Sequence, residues 1–135
     1  MSDMPFTITR EDMLAGRVVV PGWYILLVTS VQQKEATTDQ SQNTEIKFRI
    51  GSPGPFLDVP VKRVYNEKAP GFAASFIEAI QGRRIDPEKG GTFKMVASRD
   101  KKVWGYIKNS LWQNRLKNDV EDFRSYEEGQ TQPKM

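Results

Sequence analysis

The sequence predicts an all-β domain with one internal helix: five strands closed into a small barrel, the helix lying between the third and fourth strands. Three observations carry this. Residues 44–50 alternate, with Ile46, Phe48 and Ile50 apolar and Glu45, Lys47 and Arg49 charged, the pattern of a half-buried strand. Residues 69–81, APGFAASFIEAIQ, switch to helical spacing, with Phe72, Phe76, Ile77 and Ile80 on one stripe. Residues 92–117 read as a β-hairpin with a basic tip, Arg99-Asp100-Lys101-Lys102, leading into a strand of large aromatics.

Taken in order, residues 1–20 form an N-terminal extension with a short helix. Thr9 or Thr7 can cap it, Glu11 and Asp12 suit its first turn, and Gly16 can end it. After Pro21-Gly22, residues 23–33 are apolar on both parities at their start. That fits a central strand covered on both sides, with Trp23 and Tyr24 in the core. Residues 34–43, KEATTDQSQN, lack periodicity and read as a flexible connection to the second strand, residues 44–50. The turn Gly51-Ser52-Pro53-Gly54-Pro55 follows. Leu57, Val59 and Val61 then alternate with Asp58, Pro60 and Lys62 in a third strand. Pro60 has no amide hydrogen, which places this strand at an edge or a bulge. Pro70 fits the first turn of the helix and Gly82 its stop, and the apolar stripe is expected to plug the barrel. Gly90-Gly91 opens a fourth strand over 92–98, and the fifth covers 103–112. The barrel domain spans 21–117, and an acidic, flexible tail begins at 118.

Composition excludes several functions. The chain has 135 residues, 38% of them apolar, with mean hydropathy −0.58, net charge +3 and pI near 9.2. It has no cysteine and no histidine, so disulfides and cysteine-bound zinc are excluded. The commonest nucleophile, general base and transition-metal ligands are missing with them. The carboxylates Asp58, Glu67, Glu78, Asp86 and Glu88 are scattered, and no glycine loop sits beside a lysine to hold phosphate. No catalytic residue, metal or other cofactor is expected. No apolar run approaches the roughly 20 residues that cross a bilayer. Asp3, Arg10, Glu11 and Asp12 are unlike a secretory leader. The expected location is the cytoplasm, that of the host if the protein is viral.

The last predicted strand carries the functional signal. Trp104, Tyr106, Lys108 and Trp112 share one parity, with Val103, Ile107 and Leu111 on the other. Lys94, Arg99, Lys101, Lys102, Lys108, Arg115 and Lys117 are opposed there only by Asp100. An aromatic, cationic face suits the rings and phosphates of single-stranded nucleic acid, although Trp and Tyr on a strand also serve as sheet cover. Three strands, a helix and two strands make the order of the OB-fold barrel; a β-sandwich or an SH3-like barrel with an added helix are the alternatives. The OB ligand surface is strands two and three plus the loops joining one to two and four to five, here residues 34–43 and 99–102. Lys47, Arg49, Lys62, Arg63, Arg99, Lys101, Lys102 and Lys108 are the expected phosphate contacts, and Trp104, Tyr106 and Trp112 the expected stacking rings. For Arg63, Tyr65 and Lys68 the sequence leaves contact and scaffold both open.

The segments PGWYILLVTSVQQKEA, NTEIKFRI, VPVKRVYNEKAPGFAASFIEAI and GGTFKMVASRDKKVWGYIKNSLW span about residues 21–113. Together they resemble phage-type single-stranded DNA-binding proteins. The resemblance implies an OB-fold and single-stranded DNA binding in replication or recombination. RNA stays open as a ligand, as does the choice between monomer and dimer. The tail holds Asp119, Glu121, Asp122, Glu127 and Glu128 with Phe123 and Tyr126 between them, but it ends in Lys134 and Met135 rather than in an acidic, apolar tip. It reads either as a solubilising end or as a nucleic-acid mimic that competes for the basic groove or recruits replication or recombination proteins. A second class of function is an adaptor, whose aromatic barrel face contacts a polymerase, recombinase or capsid protein.

Overall fold

Five antiparallel strands form one sheet in the order β3-β2-β1-β4-β5 in the computed structural model, which describes residues 5–36 and 39–127. The strands are β1 (Gly22–Glu35), β2 (Gln42–Ile50), β3 (Pro60–Asn66), β4 (Lys102–Trp112) and β5 (Arg115–Ser125). A short helix α1 (Arg10–Ala15) precedes them, and α2 (Ala74–Gln81) lies between β3 and β4.

β1 is central because both of its edges are hydrogen-bonded: Gly22 to Leu27 pair with β4, and Leu26 to Glu35 pair with β2. Its apolar residues on both parities are explained by cover on both faces: Leu26 and Val28 lie in the core, and Trp23 on the opposite face packs against Tyr106 and Arg124. On the inner face Leu26, Val28, Ile46, Phe48, Ile50, Val103, Ile107 and Val120 are buried together. α2 covers this face. Phe76 sits 5.8 Å from Phe48, 6.3 Å from Tyr65 and 5.1 Å from Phe123, ring centre to ring centre. Gly82 ends α2 in the left-handed region (φ 72°), its N–H bonded to the Glu78 carbonyl. Gly105 passes so close to Leu26 that a Cβ there would lie 2.3 Å from Cδ1.

The N-terminal segment is part of this core. Thr9 and Asp12 form a reciprocal capping box on α1. Leu14 and Val19 are buried. Asn118 accepts from the Val19 N–H at 2.9 Å and donates to the Arg17 carbonyl at 2.8 Å, and Asn109 donates to the Val19 carbonyl at 3.0 Å.

Four expectations are corrected. Residues 92–98 are not a strand; Met95–Ser98 is a short 3-10 helix. Its polar groups are bonded locally instead of in a ladder: Ala97 N–H to Lys94 O at 2.9 Å, Arg99 N–H to Val96 O at 3.2 Å and the Ser98 hydroxyl to Met95 O at 2.6 Å. The basic residues 99–102 are therefore not a hairpin tip but the approach to β4, held by Asp100 N–H to Val28 O and Val28 N–H to Lys101 O, both at 2.9 Å. The tail does not begin at 118, because residues up to Ser125 form β5. Its acids are used within the sheet: Asp119 bonds the Ser110 hydroxyl, Asp122 lies 2.8 Å from Arg124, and Glu121 lies 3.5 Å from Lys108. Glu128 and the residues after it lie outside the described residues. Finally, Phe72 is 72% exposed and the buried stripe starts at Phe76. As for closure, β3 and β5 approach each other, but no β-pairing joins them among the described residues, so the sheet is open there.

The connection from β1 to β2 is clasped. Asp39 accepts from the Ser41 hydroxyl (2.6 Å) and from the Lys68 ammonium (2.9 Å), while Asn66 donates to Ser41 and Asn43. Ser41 first, then Lys68, hold the Asp39 carboxyl well below the usual carboxylate range. A depressed folded pKa stabilises above the unfolded value of about 3.9 and is lost as pH falls toward the folded one. The melting temperature of wild type should therefore exceed that of Asp39→Asn by a constant margin above about pH 5, and the margin should shrink with acidification below about pH 4. A margin that does not change down to pH 2 would rule the clasp out as its source.

Candidate nucleic-acid interface

Side chains alternate across a strand, so register decides which cations can act together. On β2 and β3, Lys47 lies opposite Lys62 and Arg49 opposite Pro60, all facing outward. Leu27 pairs with Arg49 on one side and Lys102 on the other. The same outward face therefore continues across β1 into Lys102, Trp104, Tyr106 and Lys108 of β4. Arg63 does not join it. Being next to Lys62, it turns inward, with its guanidinium 5.3 Å from the centre of the Tyr65 ring and its Nε buried without a hydrogen-bond partner among the described residues. Arg99 and Lys101 are exposed in the turn before β4.

The expected aromatic face is mostly covered. Trp104 is 6% exposed, its ring 6.0 Å from Tyr126. Trp23 is also buried, but on the outward side of the sheet rather than in the main core; it packs 5.5 Å from Tyr106 with the Arg124 guanidinium 5.6 Å above it. The Lys102 ammonium lies 5.8 Å from the Tyr126 ring. The end of β5 thus crosses over the rings expected to be open, so Trp104 is no free platform and Tyr106 is half-buried.

Trp112 is different. Gln113 and Asn114 both have positive φ (49° and 63°), the left-handed pair of a two-residue type I′ hairpin turn. This turn carries Trp112 to the end of the β4–β5 hairpin, where it is 61% exposed. A cleft of about 760 Å³ lies between the hairpin, the start of β3, β2 and α1. Four expected residues, Lys47, Arg49, Lys62 and Trp112, line it, joined by Arg17, Arg115 and Lys117. Glu11 is its acidic residue. Arg49 contacts Glu11 at 2.7 Å, Lys47 lies 3.7 Å from Glu45, and Lys117 lies 3.7 Å from Asp119. Arg17, Lys62 and Arg115 make no ion pair among the described residues. Burial would raise the Glu45 pKa, but the Lys34 hydrogen bond and the charges of Lys34, Lys62 and Lys47 outweigh it and hold that carboxyl low.

Sequence reasoning missed Arg17 as a site residue, because nothing local to it signals a ligand. It left Arg115 and Lys117 outside the contact set because the Gln113-Asn114 turn was not recognised, although Asn tolerates the left-handed region. Among the described residues, no cluster of three or more Asp or Glu side chains is placed to hold a metal, and no helix is long and apolar enough to cross a membrane. No protein-family model matches the chain, and no curated protein matches it.

Proposed function

We propose that the chain binds single-stranded nucleic acid, single-stranded DNA above all, without sequence preference. The observation that carries this is the cleft in which Arg17, Lys47, Arg49, Lys62, Arg115 and Lys117 surround an exposed indole, Trp112. The strand order, with α2 between β3 and β4, supports an OB-type barrel, whose ligand surface is strands two and three with the loop from four to five. In this chain that loop is the turn after Trp112. A role in coating single-stranded DNA during phage replication or recombination rests on the resemblance of residues 21–113.

The cations neutralise phosphates and release counterions, so log affinity falls with log salt by roughly 0.7 per phosphate. Trp112 stacks on bases, and stacking accepts any base. Titration with oligo(dT) should quench the exposed tryptophan, weaken as salt rises, and be poorly competed by duplex; an RNA oligomer in the same buffer ranks the two single strands. No binding at low salt would overturn the proposal. Lys62 makes no ion pair among the described residues. Lys62→Ala is therefore expected to flatten the salt slope by about 0.7 with an unchanged melting temperature, and an unchanged slope would take Lys62 out of the interface. The adaptor alternative needs an open aromatic face, which the buried rings of Trp23 and Trp104 do not offer.

A further inference from the structure

The acidic side chain in the cationic cleft comes from an anchored element. α1 is held by the Thr9–Asp12 capping box, by Arg10 to Asp58 at 3.2 Å, and by buried Leu14. None of these involves Glu11. Its carboxylate is nonetheless brought to 2.7 Å from an Arg49 guanidinium nitrogen, while its side chain stays 58% exposed. Arg49 is also fixed from behind, with Nη1 3.3 Å from the Asp58 carbonyl oxygen. The guanidinium is thus aimed into the cleft whether or not Glu11 is in contact. The Glu11 oxygen on Nη2 occupies the place a phosphate oxygen would take, since both are anionic acceptors for the same guanidinium donor.

Building on the nucleic-acid reading, we infer that Arg49 is a phosphodiester seat of the cleft and that Glu11 is its resident competitor, displaced by the incoming backbone. α1 then regulates affinity. In wild type, binding at Arg49 exchanges one ion pair for another, so this cation contributes less than Lys62 or Arg115, which have no pair to give up among the described residues. Displacement requires only a side-chain rotation, because the helix keeps its other anchors.

The test is a cycle of wild type, Glu11→Gln, Arg49→Gln and the double variant, each titrated at low salt with oligo(dT) and with inorganic tripolyphosphate. The Arg49 Nε–H resonance reports the seat directly. Glu11→Gln should tighten both ligands about two- to fivefold, the factor of an exposed ion pair, and the gain should vanish in the Arg49→Gln background. Equal tightening in both backgrounds would reduce Glu11 to a general charge effect and overturn the inference, as would no tightening at all. If tripolyphosphate follows the pattern but oligo(dT) does not bind, the seat and its competitor stand and the nucleic-acid reading fails. If neither polyanion binds any variant, both fail.

Discussion

Phe76→Ala is expected to destabilise the fold by about 3–5 kcal/mol, the usual cost of deleting a fully buried phenyl group. Phe76 is the contact through which α2 holds the sheet. Its ring meets Phe48 of β2, Tyr65 of β3 and Phe123 of β5, so it joins the central strands to both edge strands. Among the described residues no pairing links β3 to β5, and the aromatic cluster stands in for those hydrogen bonds. Against a net stability of about 5–15 kcal/mol, the loss takes a large share. Denaturant unfolding measures it, with Phe72→Ala as the control. Phe72 belongs to the same sequence stripe but is largely exposed, so its loss should stay within about 0.5 kcal/mol. Equal losses at the two positions would contradict the packing of α2 described above.

Where the hydrophobic period is unbroken, the fold is legible in the sequence. Ile46, Phe48 and Ile50 alternate and are buried, and the helix between β3 and β4 ends at Gly82 as its residues imply. β5 was hidden because its period is broken. Val120 pairs with Ile107 but Asp122 pairs with Tyr106, so Glu121 is an extra, bulged residue. Val120 and Phe123 therefore both face inward although they are three apart, and the charged residues around them resemble a solvated tail. β1 carries the same device at Thr29, which lets Val28 and Val31 share a face.

The candidate site follows the same logic. Lys47, Arg49 and Lys62 were readable because a strand's outward parity is visible in sequence. That Trp104 is covered is not readable, because its cover, Tyr126, sits in a segment whose acidic residues read as a tail, together with Arg124, which covers Trp23. Arg63 adjoins Lys62 in sequence, but adjacent residues on a strand face opposite ways, and Arg63 pairs with inward Ile46. The convergence of Arg17 with Lys62 and Arg115 depends on how the N-terminal segment is stitched to β4 and β5 by Asn109 and Asn118, which no local pattern announces.

Trp112 is where the binding proposal is most exposed to refutation. Trp112→Ala is expected to weaken oligo(dT) binding by about 1–3 kcal/mol, roughly 5- to 150-fold, because one base loses its stacking partner. Its melting temperature should not fall, since a side chain mostly in water contributes little to the folded state. Trp112→Phe should restore most of the affinity, as a smaller π-face still stacks. Trp104→Phe should do the reverse, lowering stability through its packing against Tyr126 while leaving affinity near wild type. If instead Trp104 proved to govern affinity and Trp112 did not, the ligand would have to lift the end of β5 from the rings beneath it. The contact surface would then be the covered aromatic face of β1 and β4 rather than the cleft under the hairpin.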